Sequence, residues 1–238
     1  MQFLTSCTNR SDWQSTLRQA ESIEKREDYK ESRKLYEQAI EQAKSSGVAD
    51  LELNSAYIEL ARVCQLEGDH ETARNVIDAA LERSRKTCGE NSPRLASLLR
   101  ASAELHYKQH DLEQAEAQAR QLLTIEKSEP DPDKMALIDT INLIISAACA
   151  RDRCIDTEPL VKEQLELRRQ LYGSEHPQVA VSFALMGEIA EKKGRLKEAI
   201  SYYEKALAIR QKNQRQLVDG TRKKIEQLRA EILKSGMH

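Results

Sequence analysis

Large aromatic residues are scarce in this 238-residue chain, which holds one Trp, two Phe and seven Tyr. A single compact core of this size normally draws on more of these bulky fillers, so the shortage argues against one globule. Gly and Pro are also few, eight and five, which leaves little punctuation for turns and favours long regular elements. No unbroken apolar run exceeds four residues, excluding a membrane-spanning helix within the sequence. Neither sign of charge dominates. The 37 Lys and Arg against 39 Asp and Glu leave a net charge of −2, so no global basic field exists to hold a nucleic acid. The five cysteines, Cys7, Cys64, Cys88, Cys149 and Cys154, are odd in number and irregularly spaced, unlike a disulfide framework. Cys149 and Cys154 flank a helix end, where a disulfide is open but not indicated by the spacing.

What is present is charge, 32% of residues, interleaved with small and medium apolar residues throughout. That mixture reads as mostly helical, with polar faces exposed along much of the length. Internal periodicity organises it. Ala73, Ala115, Thr157 and Ala199 stand 42 residues apart, as do Ala80, Leu122, Gln164 and Ala206, and Gly68, His110, Asp152 and Gly194. A further copy lies 41 residues earlier, aligning Ser32 with Ala73 and Ala39 with Ala80. Within each period the apolar spacing describes two helices. In the last, Phe183, Met186, Gly187 and Ala190 form one stripe, and Ala199, Tyr203 and Ala206 form another beyond the Gly194-Arg195 turn. The helix pairs are expected over 12–26 with 29–46, 50–66 with 70–86, 92–109 with 112–127, 133–151 with 157–172, and 177–193 with 196–214. Ile225, Leu228, Ile232 and Leu233 predict a terminal helix over 215–234 that covers the last pair.

These stripes resemble the tetratricopeptide repeat, and the 42-residue period is similar to the kinesin light chain-like subfamily. Gly173-Ser174-Glu175-His176-Pro177 resembles that subfamily's Gly-x-x-His-Pro turn, and Thr157-Glu158-Pro159-Leu160 its Ala-Glu-Pro-Leu helix start. The resemblance covers about residues 13–210. It implies an all-α, right-handed α-solenoid of about five helix-turn-helix pairs with a C-terminal capping helix. The domain plan is then a flexible N-terminus over 1–11, a solenoid over 12–214 with repeats near 13–46, 54–87, 96–129, 138–171 and 180–213, and a capping helix and tail over 215–238. Where the subfamily often carries an Asn-Asn pair, this chain has Ile58-Glu59, Arg100-Ala101, Asn142-Leu143 and Ala184-Leu185, so only Asn142 matches.

The implied function is a non-enzymatic scaffold or adaptor that binds a partner peptide or protein in a groove walled by the first helix of each pair. Residues off the packing stripe face that groove: Leu17, Glu21 and Glu24; Ile58, Arg62 and Gln65; Arg100, Glu104 and Tyr107; Asn142, Ser146 and Cys149; Ala184, Glu188 and Glu191. Arg62 and Arg100 are expected to meet partner carboxylates, Tyr107 to give a flat contact and Asn142 to bond a partner backbone, with Glu104, Ser146 and Glu188 beside them. Helix 135–150, the most apolar of the chain, is either core or an exposed patch. From Arg210 to Lys234 eight Lys or Arg outnumber three Asp or Glu, which describes a solvated face or a docking patch for an acidic surface.

No catalytic constellation, phosphate loop or dinucleotide fingerprint is present, and neither a cofactor nor a metal is expected. His106 and His110 have metal-pair spacing but occupy the stripe and the turn, and read as structural. Leu4-Thr5-Ser6-Cys7 resembles a bacterial lipobox, in which Cys7 takes the lipid. The leader such a signal requires is not among the three residues before it. A cytoplasmic protein is expected, or a membrane-anchored lipoprotein forming part of an envelope complex where an upstream signal exists.

Overall fold

A computed structural model describes residues 12–235, so the lipobox-like Leu4–Cys7 and the 1–11 segment lie outside the described residues. Among the described residues there is helix and no strand. Eleven α-helices follow in order. They are α1 (Asp12–Glu24) and α2 (Tyr29–Ser45), α3 (Asn54–Leu66) and α4 (His70–Cys88), and α5 (Ala96–Lys108) and α6 (Leu112–Ser128). Then come α7 (Lys134–Ala150) and α8 (Glu158–Tyr172), α9 (Pro177–Lys192) and α10 (Leu196–Asn213), and the terminal α11 (Val218–Ser235). The chain divides into two compact units, residues 1–128 and 129–238. Unit one holds three helix pairs, and unit two holds two pairs and α11.

The register in the sequence has a backbone cause. Gly68, His110, Asp152 and Gly194 all take positive φ, between 57° and 84°, and Glu27 does the same before the second helix of the first pair. Each of the four closes the same cap. Asp69, Asp111, Arg153 and Arg195 donate their amides to the carbonyls of Cys64, His106, Ala148 and Ala190 at 2.8–2.9 Å, satisfying acceptors that the helix end leaves open. Between pairs, Gly89 (φ 84°, ψ 164°) and Gly173 (φ 85°, ψ 160°) occupy a region that only glycine adopts readily. The helix that follows Gly173 starts on His176, whose Nδ1 accepts the Gln178 amide at 3.2 Å, with Pro177 where no amide is needed.

Unit one is held by a core that includes Tyr36, Leu60, Ile77, Leu99 and Leu122. In unit two, Phe183, Ala199, Tyr203 and Ala206 pack together with Ile225 and Leu228 of α11. The terminal helix therefore covers the last pair through Ile225 and Leu228, while Ile232 is half-buried. Leu233, expected on the same stripe, is 74% exposed, because Ile232 takes the side that meets the core and the next residue turns about 100° away from it. Helix α7 is buried nearly all round, with Leu137, Ile138, Ile141, Ile144, Ile145, Ala147 and Ala148 out of solvent and Asp139 exposed. It is core rather than an open apolar patch. Cys149 and Cys154, unresolved by their spacing, are disulfide-bonded across the α7–α8 turn.

His106 is buried and its Nδ1 meets the Asp111 carboxylate at 3.1 Å. Asp78, then Asp111, raise its pKa above the ordinary value. It is a structural histidine that ties α5 to the start of α6. Among the described residues no cluster of His, Cys, Asp and Glu could hold a metal ion, and no helix is long and apolar enough to cross a membrane.

The Glu158 of the Glu-Pro-Leu start is a clamp. It is buried and meets Lys162 at 2.8 Å, Lys193 at 2.6 Å and Arg195 at 2.8 Å, joining α8 to the α9–α10 turn. Lys162, Lys193 and Arg195 bring its pKa down to about 2. A depressed carboxylate stabilises the fold above its unfolded pKa, near 4.5, and that contribution disappears as pH falls toward 2. Because the three cations are themselves partly exposed, between 31% and 57%, Glu158→Gln is expected to cost about 1–2 kcal/mol at pH 7. Denaturant unfolding at pH 7 and at pH 3 checks this, since the difference from wild type should shrink at the lower pH.

Candidate functional site

Six of the first-helix positions picked from the register border the two cavities described next: Leu17, Glu21, Glu24 and Arg62 in unit one, and Ala184 and Glu188 in unit two. In unit one a cavity of about 340 Å³ lies between α1 and α3, lined by Leu17, Glu21, Glu24, Tyr36, Ala56 and Arg62 among others. In unit two a cavity of about 470 Å³ is bordered by α9, α10 and α11, with Ala184, Glu188, Tyr203, Arg210, Gly220 and Thr221 in its wall.

The two cavities are built at equivalent places in the repeat. Leu17, Glu21, Glu24 and Tyr36 of the first pair align with Ala184, Glu188, Glu191 and Tyr203 of the fifth. Tyr36 donates its hydroxyl to Glu24 Oε2 at 3.3 Å, and Tyr203 donates to Glu191 Oε2 at 3.3 Å. A cation from α3 completes the first cluster and one from α11 the second. Arg62 meets Glu24 at 2.5 Å and Glu59 at 2.7 Å, and Lys224 meets Glu191 at 2.7 Å.

Charges elsewhere along this line are largely matched within the chain. Arg100 pairs with Glu126 at 2.6 Å. Asn142 uses its carboxamide oxygen internally, accepting from Gln164 Nε2 at 2.7 Å and Arg168 Nη2 at 3.1 Å, so only its amide group is left to donate outward. Tyr107 and Ser146 are half-buried and Glu104 is exposed. The Glu188 carboxylate has neither a hydrogen bond nor an ion pair among the described residues, and burial, then Glu191, push its pKa up.

Sequence reasoning missed Arg210, Gly220 and Thr221. Arg210 lies on a second helix, one turn beyond the stripe residue Ala206, where a solvated arginine is the ordinary expectation. It is half-buried instead, and its Nη1 donates to Thr221 Oγ1 at 2.6 Å. The signal that could have located it is the register: Arg210 aligns with Arg168 and Glu126, and both of those meet a first-helix partner.

Tandem helix pairs with left-handed turns at a fixed period, packed through small residues, define an α-solenoid of the class that serves as a protein-interaction scaffold. A tetratricopeptide repeat family model matches residues 52–128 and 137–212. The chain belongs to the tetratricopeptide repeat family, and its period and fold are of the kinesin light chain-like kind. Its fold is similar to the nearly identical repeats of a kinesin light chain-type protein from Podosopora anserina, at 18% identity, with 90% of this chain and 100% of that one covered and a TM-score of 0.69. It is also similar to BtubC (BKLC) from P. vanneervenii, at 20% identity, 80% and 76% coverage and a TM-score of 0.62. The apo form of RapI matches at 14% identity, 84% and 71% coverage and a TM-score of 0.64. No curated protein matches the sequence.

Proposed function

We propose that this chain is a non-enzymatic scaffold that binds a partner peptide or protein along the exposed faces of its first helices. The observation that carries the reading is that Leu17, Glu21, Glu24 and Arg62 in unit one, and Ala184 and Glu188 in unit two, all border open cavities. Arg62 and Arg100 engage partner carboxylates by exchanging their internal glutamate pairs, Tyr107 offers a flat contact, and Asn142 donates its amide to a partner backbone. Glu104 in unit one, and Ser146 and Glu188 in unit two, hold corresponding register positions 42 residues apart. Neither a cofactor nor a nucleic acid takes part. Replacing Arg62, Arg100 and Asn142 together by alanine is expected to weaken binding of partners isolated from the native cell at least about tenfold, or 1.4 kcal/mol. Unchanged binding with helical content intact would overturn the groove reading.

A second reading is a lipid-anchored structural subunit of a bacterial envelope complex. It rests on Leu4–Cys7, outside the described residues, and on the Cys149–Cys154 disulfide, which persists in oxidising compartments. Metabolic labelling with a fatty acid, compared between wild type and Cys7→Ala, tests it. Label retained by the variant, or absent from both, excludes lipidation at Cys7.

A further inference from the structure

Resting on the groove reading, we propose that the unit-two cavity is a receptor for a carboxamide side chain, an Asn or Gln of the bound partner. The register has a vacancy in the fifth pair. In the third pair the first-helix residue Arg100 meets the second-helix residue Glu126 at 2.6 Å. One period later Asn142 meets Arg168, its carboxamide oxygen accepting the guanidinium Nη2 at 3.1 Å. One period further the second-helix residue is again arginine, Arg210, but Asn142 is replaced by Ala184. Alanine cannot reach the guanidinium, and the cavity of about 470 Å³ opens there.

Two further features of the cavity bear on what fits it. Gly220, in α11, lines the cavity, and a Cβ built on it meets nothing within 4 Å. Its backbone does not require glycine, since its φ lies outside the positive region that marks the turn glycines. Gly220 is exposed in the first turn of α11, so that wall of the cavity carries no side chain. The second observation is electrical. Glu188, exposed at the same cavity, has neither a hydrogen bond nor an ion pair among the described residues; Arg210 is opposite in charge with only its Nη1 engaged, by Thr221, and Lys224 is neutralised by Glu191 at 2.7 Å. A ligand of full positive charge meets Arg210 and one of full negative charge meets Glu188. A carboxamide suits both, donating its N–H to the Glu188 carboxylate and accepting from Arg210, as Asn142 accepts from Arg168. The equivalent cavity of the first pair sharpens the contrast, because Ala43 stands there at the arginine register.

The test uses the full chain and capped amino acids as probes, followed by NMR chemical-shift changes at the amides of Ala184, Gly220 and Thr221. N-acetyl-glutamine methylamide is expected to shift these amides saturably at millimolar concentration. The corresponding lysine and glutamate probes should do so at least about tenfold more weakly, or 1.4 kcal/mol. Ala184→Asn restores the missing carboxamide within the chain and is expected to abolish the glutamine response without loss of helix. Gly220→Leu, which fills the space from the other wall, should do the same. A stronger response to lysine or to glutamate, no response to any probe, or an undiminished response in both variants would overturn the proposal. The outcome is separable from that of the groove reading. If the Arg62, Arg100 and Asn142 variant loses its partner while the glutamine probe finds no site, the groove stands and the carboxamide receptor falls.

Discussion

Arg168→Ala is expected to lower the stability of unit two by about 3–4 kcal/mol, through lost hydrogen bonds and a cavity where a long side chain was. Arg168 is 4% exposed, and among the described residues no carboxylate pairs with it. Its charge is held by neutral acceptors. Nη1 donates to Ser182 Oγ at 2.7 Å and to the Gln178 carbonyl at 3.3 Å, while Nη2 donates to Asn142. Gln164 closes the network, donating to Asn142 at 2.7 Å and accepting from Ser182 Oγ at 3.4 Å. Burial lowers the arginine's affinity for its proton, a sign that the guanidinium is incompletely compensated. Two effects therefore compete, the loss of acceptors' partners and the relief of a desolvated charge. Both of these are common to alanine and methionine, so Arg168→Met, which keeps most of the volume, isolates the contribution of the cavity. Its expected cost is only about 1–2 kcal/mol. Arg168→Lys keeps the charge without the fork that serves three acceptors, and should resemble alanine. Denaturant unfolding of the three variants, with hydrogen exchange of the α8 amides as a local readout, decides between them. A methionine variant as unstable as the alanine one would show that the hydrogen bonds, not the volume, dominate.

The same network shows what was legible in the sequence and what was not. The helix pairs were legible because one 42-residue register carries both the packing stripe and the left-handed turn, and two periodic constraints on one position fix it well. Gly68 and Gly194 announce that turn by residue type, and His110 and Asp152 only by register. Gln164 stands at the register position that Ala39, Ala80 and Ala206 hold in other pairs, and is both larger and polar. It is accommodated because Asn142, Arg168 and Ser182, on three different helices, turn polar together. Such compensation is invisible residue by residue. The candidate groove was legible as a line but not as a surface. Which of its charges are already matched, as Arg62 is by Glu24 and Arg100 by Glu126, depends on contacts between helices. Spacing along one helix carries no information about those contacts. The unit-two cavity was least legible of all, because its walls at Ala184 and Gly220 are defined by side chains that are small or missing.

Gly187→Val is expected to cost about 3 kcal/mol, although valine has the better intrinsic helix propensity by a few tenths of a kcal/mol. Gly187 lies inside α9, where its conformation is ordinary. What it supplies is proximity. A Cβ built there stands 2.9 Å from Cε1 and Cζ of the Tyr203 ring and 3.1 Å from Cδ1. The ring cannot simply yield, being 4% exposed, packed in the unit-two core and held by its hydroxyl to Glu191 at 3.3 Å. Gly187→Ala poses the sharper question, because propensity favours alanine by about 1 kcal/mol while the single added carbon meets the ring. A net loss of about 1–2 kcal/mol is expected, the overlap outweighing the propensity. Combining it with Tyr203→Leu removes the opposing ring, so the double variant should be more stable than the sum of the singles by at least about 1 kcal/mol. Strict additivity in thermal or denaturant unfolding would mean that α9 and α10 are not packed at this separation. The close approach of the two helices, read from small residues in the stripe, would then need another cause.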